Sequence, residues 1–571
     1  MHVIQIFRMF VVPTHADKSI VFAKLRRTLS PPARILNTCM KPPCDDAAIR
    51  SRVANAPCAP RSGPWILAAA ILGTAMAFID STVVNVALPA LQATFNATVI
   101  DVQWVVESYG LLLGALILVG GAAGDLFGRR KIFLAGVTLF ALASIACGLA
   151  QSIEQLIAAR AVQGLGAALL TPGSLAIISA SFPEKDRGRA IGTWSGFSAI
   201  TTALGPVLGG WLIEHASWRW IFFINVPIAV TVVLISLRHV PESRGSEAKR
   251  LDYLGAFVIT LGLGTLIYGL IESPQLGWTH PKVAAPLIVA VLCLSAFPFV
   301  EMRAASPMVP LELLRSRTFS GANLLTLLLY AALGIFFFIF PMNLIQVQGY
   351  SATATGAAAL PFILLMFLLS RWSGGLVTRY GSKRPLIVGP VIAAAGFALL
   401  AVPSIEGSYW TTFFPAFVIL GFGMAVSVPP LTTVVMGAID QDHAGAASGI
   451  NNAVARVAGL LSIAVFGIVM VQAFAARLDR ELSTMQVPQQ VHDEVLSNRT
   501  KLAGVDIPRG LDPNQARGVK AAVSDSFIFA FRVVACSCAL LAIASALVAS
   551  VWIEGSARRK DASSPLTSAA D

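Results

Sequence analysis

Runs of about 20 apolar residues recur fourteen times between residues 65 and 553, separated by polar loops. Each run is long enough to cross a hydrocarbon core about 30 Å thick as a helix. Charged residues make up 13% of the 571 residues. This is about half of their share in soluble domains, and it excludes a soluble enzyme of ordinary composition. We therefore predict an all-α polytopic membrane protein with fourteen transmembrane helices. The spans are predicted near residues 65–88, 102–123, 132–150, 153–182, 188–213, 218–237, 252–271, 282–300, 319–345, 351–377, 385–404, 410–437, 445–472 and 527–553.

The loops between these spans differ in charge. Loops on one side are rich in Arg and Lys, whereas the short loops on the other side carry only Arg219 and Lys282. Basic residues collect in cytoplasmic loops, which predicts a multi-pass protein of the plasma membrane (the bacterial inner membrane) with both termini in the cytoplasm. The loop 439–443 has no Lys or Arg and is the one exception. Membrane topology thus accounts for the formal net charge of +12, and nucleic acid is not expected as a partner.

Three segments lie outside the predicted spans. Residues 1–62 are a basic tail, predicted to be cytoplasmic and mostly disordered, and a translation start at Met9 or Met40 stays open. Residues 556–571 form a second cytoplasmic tail. Residues 473–526 form one long external loop, for which a tolerated surface insertion is favoured over a cover for the external mouth.

A short glycine-rich pattern occurs twice. It spans Gly121–Lys131 (GAAGDLFGRRK) after the second span and Gly374–Arg384 (GGLVTRYGSKR) after the tenth. The copies are eight spans apart, so two extra spans separate two six-helix halves. Internal repeats are typical of secondary transporters, whose substrate sites lie at the repeat interface. We predict a six-helix bundle in 63–240, two inserted helices in 241–304 and a second six-helix bundle in 305–555.

The first copy of the pattern has a physical explanation. Its glycines allow a tight turn and close helix approach, and its aspartate can accept charge-assisted hydrogen bonds from basic residues or a helix N-terminus. The alternative is a loop of positive-inside arginines with turn glycines. In the second copy Thr378 stands where the acid would be. The predicted conformational latch consists of Gly121, Asp125, Gly128, Arg129 and Arg130.

Several stretches resemble the major facilitator superfamily, and in particular its fourteen-helix drug/proton antiporter branch. The first copy of the repeat resembles the loop signature of the superfamily, although Leu126 replaces the usual basic residue, and Thr201 replaces the leading glycine of the fifth-span pattern. The resemblance covers roughly residues 62–555 and implies two six-helix bundles that work by alternating access. It also implies that Gly205, Pro206, Gly209 and Gly210 form the antiporter motif of exporters. The matching stretches are Asp80–Pro89 (DSTVVNVALP), Arg160–Gly164 (RAVQG), Gly205–Gly210 (GPVLGG), Trp218–Pro227 (WRWIFFINVP) and Ala447–Asn452 (ASGINN).

Charged residues inside the predicted spans are candidates for coupling protons to substrate. Asp80, Glu107 and Arg160 fall at similar depth in the outer half of spans 1, 2 and 4, which predicts one ion cluster. A charge in hydrocarbon costs at least about 2.5–3.5 kcal/mol, so it normally faces a cavity, a partner or a pathway. Either carboxylate could exchange a proton while Arg160 competes for it. The alternatives are a permanent Asp80–Arg160 pair and, for Glu107, a carboxylate at the external mouth. Arg371 and Arg456 are predicted nearer helix ends or interfaces, where snorkelling explains each as well as a function does.

The predicted function is proton-driven export of amphipathic small molecules. No nucleotide-phosphate loop, metal-ligand cluster or serine-elbow pattern occurs, so neither an enzyme nor a cofactor is expected, and the proton gradient is the predicted driver. Two alternatives stay open: proton-coupled uptake, and a membrane sensor that binds ligand without moving it. The expected partners are substrate, protons and the lipid bilayer. Because some members of the resembled family have them, a periplasmic adaptor and an outer-membrane channel stay open as further partners.

Overall fold

The computed structural model is helical throughout and has no strand in the residues it describes, which are 62–182, 184–244, 251–403, 405, 407–439, 444–485, 487–508 and 510–554. Within these residues, fourteen helices are long and apolar enough to cross a membrane. The predicted number and order of spans are therefore confirmed. The tails 1–61 and 555–571 and most of the acidic loop 439–443 lie outside the described residues.

The first six spans pack together as one group, within which α2 lies against α4, α3 against α4, and α1 against both α5 and α6. Pro89 and Pro172 lie inside α1 and α4. Thr98 begins α2 with a reciprocal capping box to Asp101, which satisfies free amides at the helix start. The helices are α1 Gly63–Phe95, α2 Val99–Phe127, α3 Arg129–Leu149, α4 Ile153–Ser181, α5 Glu184–His215 and α6 Trp220–His239.

Two inserted helices follow, α7 at Tyr253–Leu276 and α8 at Pro281–Arg303. They pair with each other, and α7 also lies against α2 and α13. Few residues of α8 are buried, among them Val283 and Ala290. The apolar outer face of α8 is suited to lipid contact, so α7 is the inserted helix that touches the bundles.

The last six spans form the second group, in which α9 packs on α13 and α14, α10 on α12, and α11 on α12 and α14. A stack of buried phenylalanines fills its centre, with Phe336 and Phe340 5.4 Å apart between ring centroids. Asn451 of α13 donates hydrogen bonds to Asn323 (3.1 Å) and Thr326 (2.7 Å) of α9. The helices are α9 Arg317–Val347, α10 Ala352–Ser370, α11 Lys383–Leu400, α12 Tyr409–Gly437, α13 Ala444–Thr484 and α14 Pro513–Trp552.

Helices α13 and α14 extend well past their predicted ends at residues 472 and 527. They contain 41 and 40 residues, and at 1.5 Å per residue each is about 60 Å long, twice the thickness of a hydrocarbon core. Between them, residues 485–512 fold back as a compact segment, here called the cap, with a short helix at Gln489–Ser497. We call the end of the bundle that carries the cap the loop end.

The cap is a packed element, whether it is a tolerated surface insertion or a cover for the external mouth. Val495 and Leu502 are each 1% exposed and join the apolar core formed by the ends of α13 and α14. Lys501 donates to Asn96 at the end of α1 over 2.6 Å and pairs with Asp506 over 3.0 Å. The cap thus lies over the loop end and joins the second group of helices to the first.

The two groups also meet directly at the loop end. Gln346 of α9 donates to Gln92 of α1 over 2.9 Å, and the Thr353 amide of α10 donates to Glu214 of α5 over 3.2 Å. Helices α5 and α10 lie so close that a methyl group on Gly356 would come within 2.0 Å of the Pro206 carbonyl. These contacts close the loop end above the cavity described next.

Candidate functional site

A cavity of about 450 Å³ lies between the two groups of helices. Helices α1, α2, α4 and α5 line one side of it, and α9, α10 and α13 line the other. Its wall is mostly apolar, and its aromatic side chains include Phe337, Phe340 and Phe362. Such a chamber at the repeat interface is the expected position for the substrate of a secondary transporter.

Asp80 and Arg160 meet beside this cavity in a fully buried ion pair, with exposures of 0% and 1%. Gln163 lies one helical turn from Arg160 and completes a triangle, because it donates to Asp80 over 2.8 Å and accepts from Arg160 over 2.7 Å. Each oxygen of the carboxylate therefore has a donor. The predicted meeting of Asp80 and Arg160 is observed in the geometry, and the pair is fully compensated by hydrogen bonds.

The same network reaches two more helices. The Nε atom of Arg160 donates to the Val105 carbonyl of α2 over 3.1 Å. The guanidinium carbon of Arg160 lies 4.1 Å from the ring centroid of Tyr109. Gln163 also donates to Ser144 of α3 over 2.8 Å. Because α1, α2, α3 and α4 all contribute, the network fixes the packing of the first group of helices.

Glu107 does not join this network, so the expectation of a three-ion cluster is wrong for this residue. Its side chain is 0% exposed, and neither carboxylate oxygen has a hydrogen-bond partner. The physical reason is rotation: Glu107 is two residues after Val105, which turns it about 200° around α2, away from Arg160. Its complete burial also excludes a carboxylate exposed to water at the mouth.

The neighbours of Glu107 along α2 show where it lies. Gln103, one turn before it, donates to the Ile463 carbonyl of α13 over 3.4 Å. Trp104 donates to Glu272 of α7 over 3.2 Å. Residues three and four positions apart share a helix face, so Glu107 lies between the faces of α2 that contact α13 and α7. It therefore occupies the junction of the first group, the second group and the inserted pair.

The predicted antiporter motif packs closely against the neighbours of α5. A methyl group on Gly209 would come within 1.8 Å of Val83 in α1, and one on Gly210 within 2.3 Å of the Ala352 carbonyl in α10. Gly205 likewise lies against Thr82 of α1, and Pro206 lines the cavity. Small residues let helix backbones approach closely in membranes. The motif thus packs α5 against both groups at the loop end.

Replacing Gly210 by alanine is expected to loosen this contact. The added methyl group has no space, and overpacking of this kind costs about 1–3 kcal/mol. Purified Gly210→Ala protein should unfold at a lower temperature in detergent than the wild type and should transport more slowly. Gly196→Ala is the matched control, because it lies in the same helix with no atom within 4 Å of the added methyl group. Equal losses in both variants would contradict a packing role for the motif.

The residues of the predicted latch lie around the turn between α2 and α3. Asp125 accepts a hydrogen bond from Arg129 over 2.8 Å. Gly128 adopts φ 115°, which only glycine adopts readily. A methyl group on Gly121 would lie 3.5 Å from Pro172 of α4, which is ordinary contact distance.

Sequence reasoning missed an acid that contacts these residues, Glu242 after α6. Its carboxylate accepts from the Arg130 amide over 3.1 Å, and a methyl group on Gly128 would come within 2.7 Å of it. Arg130 also donates to the Val240 carbonyl over 3.1 Å. The described contacts of the latch stay within the first group of helices. In the second copy, Thr378 donates to the Gly375 carbonyl of its own helical segment.

Arg456 lies far from a helix end, contrary to expectation. Its Cβ would be 3.5 Å from a methyl group on Gly114, near the middle of α2, and its side chain lines the cavity. Tyr330 of α9 lines the same cavity and was likewise not singled out. The side chain of Arg371 lies outside the described part of the chain.

Comparison with known proteins agrees with this arrangement. A family model described as the Major Facilitator Superfamily matches residues 70–463. The chain belongs to the major facilitator superfamily. Its superfamily relatives are transporters and not enzymes, and with fourteen candidate spans it is a multi-pass membrane protein.

Curated relatives within the superfamily are similar over most of their length. The multidrug resistance protein Stp of Mycobacterium tuberculosis is 35% identical over 504 residues, which cover 85% of this chain and 90% of that relative. The tetracenomycin C resistance and export protein of Streptomyces glaucescens is 35% identical over 429 residues, with 74% and 78% covered. The chain is thus a superfamily transporter whose relatives are named for drug resistance and export.

Solved structures of superfamily transporters have the same fold. A bacterial homolog of the human lysosomal transporter Spinster, in an inward-facing and unoccupied conformation, matches with a TM-score of 0.60 at 18% identity, covering 86% of this chain and 98% of that one. The xylose transporter XylE of E. coli, in an inward open conformation, matches with a TM-score of 0.52 at 14% identity, covering 86% and 97%. At these identities the similarity shows the fold alone.

Proposed function

We propose that this protein exports amphipathic small molecules in exchange for protons. It works by alternating access in the plasma membrane, with both termini in the cytoplasm and the cap outside. The central cavity holds the substrate between the two groups of helices. The closed loop end then corresponds to a state that faces the cytoplasm, and opening it releases substrate on the outer side.

The observation that carries proton coupling is the unpartnered carboxylate of Glu107. An ionised carboxylate without hydrogen bonds is very costly to bury, so the group binds a proton when the helices close around it. Glu107 lies on α2 beside α13, where the two groups of helices meet. Movement of the groups against each other would admit water there and allow the proton to leave. Binding and release are thereby linked to conformation.

Asp80 is less suited to this task than Glu107. Its two oxygens accept from Arg160 and Gln163, so protonation would break a buried network on which the packing of four helices depends. We assign Asp80 a positioning role, since it holds Arg160 at the cavity wall. Of the two carboxylates, Glu107 is therefore the one we assign to proton exchange.

The direction of transport is supported by two features. Two curated relatives are named for multidrug resistance and for resistance and export, and the Gly205–Gly210 stretch resembles the antiporter motif of exporters. Both features favour export over uptake. No described feature favours a sensor that binds ligand without moving it.

Inverted membrane vesicles provide the test. With an acid interior, a proton/drug exporter accumulates substrate inside the vesicle, and the accumulation collapses when a protonophore is added. An uptake symporter would instead accumulate substrate when the vesicle exterior is acid. A panel of cationic, neutral and anionic amphipathic dyes is required, because an absence of flux with one dye tests only that dye. Binding of dyes without any gradient-dependent flux across the panel would favour the sensor.

A further inference from the structure

The central cavity contains one charge that has no counter-ion among the described residues. Arg456 of α13 lines the cavity and makes no hydrogen bond or ion pair with any residue that the structure describes. It lies opposite Gly114, in the middle of α2, so its guanidinium cannot reach the membrane surface as a snorkelling side chain would.

The other charges near the cavity do not compensate Arg456. Arg160 also lines the wall, but its charge is neutralised by Asp80, which does not line it. Glu107 is absent from the lining as well, since its face of α2 points to α13 and α7. In the described part of the chain, the ionisable side chains that reach the cavity are therefore Arg160, Arg456, Tyr109 and Tyr330, which gives the chamber an excess of one positive charge.

An unpaired guanidinium in an apolar chamber is electrostatically costly, and a bound anion would relieve that cost. A carboxylate or sulfonate can accept two parallel hydrogen bonds from the fork of an arginine. The same excess charge repels a lipophilic cation. Phenylalanines of α9 and α10 line the same cavity and supply an apolar surface for the body of the ligand. The cavity therefore offers one charged group and one apolar surface to a single amphipathic molecule.

We propose that this cavity is an anion-binding site, and that its substrates are amphipathic anions with an aromatic body and one carboxylate, phenolate or sulfonate. Arg456 pairs with the anionic group, and the aromatic wall of α9 and α10 holds the body. The hydroxyl of Tyr330 has no hydrogen-bond partner among the described residues and is the nearby neutral donor. This inference rests on the proposed function and names its substrate class.

The test compares two xanthene dyes of similar size and opposite charge, fluorescein methyl ester as the anion and rhodamine 123 as the cation. Binding is measured by fluorescence anisotropy on the purified full chain in detergent, without a proton gradient. We expect the wild type to bind the anion at least about tenfold more tightly, which corresponds to about 1.4 kcal/mol. Because no transport is required, a failure of proton coupling would leave this result unchanged.

Substitutions of Arg456 test whether this residue causes the preference for the anion. Arg456→Gln should lose the preference for the anion, Arg456→Lys should retain most of it, and Arg456→Glu should favour the cation. Arg477→Gln is the matched control, because Arg477 lies on the same helix and pairs with Glu481 outside the cavity. Equal binding of the two dyes by the wild type, binding of neither, or a preference that survives in Arg456→Glu would overturn the proposal.

Discussion

Replacing Glu107 by glutamine will abolish the accumulation of substrate driven by a pH gradient, while exchange of labelled for unlabelled substrate across the membrane continues. Glutamine imitates the protonated carboxyl group in shape and is never ionised. The variant is therefore fixed in the proton-loaded form, in which the helices can still close. We expect gradient-driven accumulation in vesicles to fall at least tenfold, measured beside counterflow in the absence of a gradient.

Glu272→Gln is the matched control for this prediction. Glu272 lies on α7 near the same junction, but it is only partly buried and accepts from Trp104. Its substitution should change neither accumulation nor counterflow by more than a small factor. If Glu107→Gln retains full gradient-driven accumulation, the proton is carried elsewhere. If both activities disappear together, the residue has a structural role and the coupling argument fails.

Removal of Asp80 will produce the largest loss of stability. In Asp80→Ala the guanidinium of Arg160 stays buried at 1% exposure without its counter-ion, and breaking such a pair costs about 3–5 kcal/mol. The double variant Asp80→Leu with Arg160→Met removes both charges and should recover most of that stability. Thermal unfolding in detergent, followed by tryptophan fluorescence, measures the difference between the two variants.

Measurements of transport distinguish the role of this pair in stability from its role at the cavity wall. The double variant should remain inactive or slow, because Arg160 also forms part of the cavity wall. An Asp80→Ala protein as stable as the wild type would show that the buried pair is not needed for packing. A double variant with no recovery would show that Asp80 and Arg160 act independently.

The spans were predictable because hydropathy reports directly on transfer to lipid. Each of the fourteen predicted ranges overlaps one observed helix, and the two inserted helices follow from the spacing of the repeat. The ends of α13 and α14 were not predictable in this way. Their extensions lie outside the hydrocarbon core and contain charged residues such as Arg477 and Lys520. Hydropathy therefore predicts a loop there, although these residues are helical.

The site was partly predictable. Depth along each helix placed Asp80 and Arg160 at the same distance into the membrane, and in the structure they form an ion pair. Depth does not give the rotation of a helix about its axis, however, and rotation separates Glu107 from that pair. Glu242 could not be found because its neighbours in space, Gly128 and Arg130, are more than 110 positions earlier in the chain. No sequence pattern predicts that contact.

The long helices α13 and α14 have a mechanical consequence. They belong to the second group of helices and carry the cap, yet Lys501 of the cap holds Asn96 of the first group. When the loop end opens, a small rotation at the middle of the membrane becomes a larger displacement at the tip of this lever, and that contact must separate. An antibody fragment that bridges the cap and the end of α1 would therefore act as a brake on the transport cycle without entering the cavity.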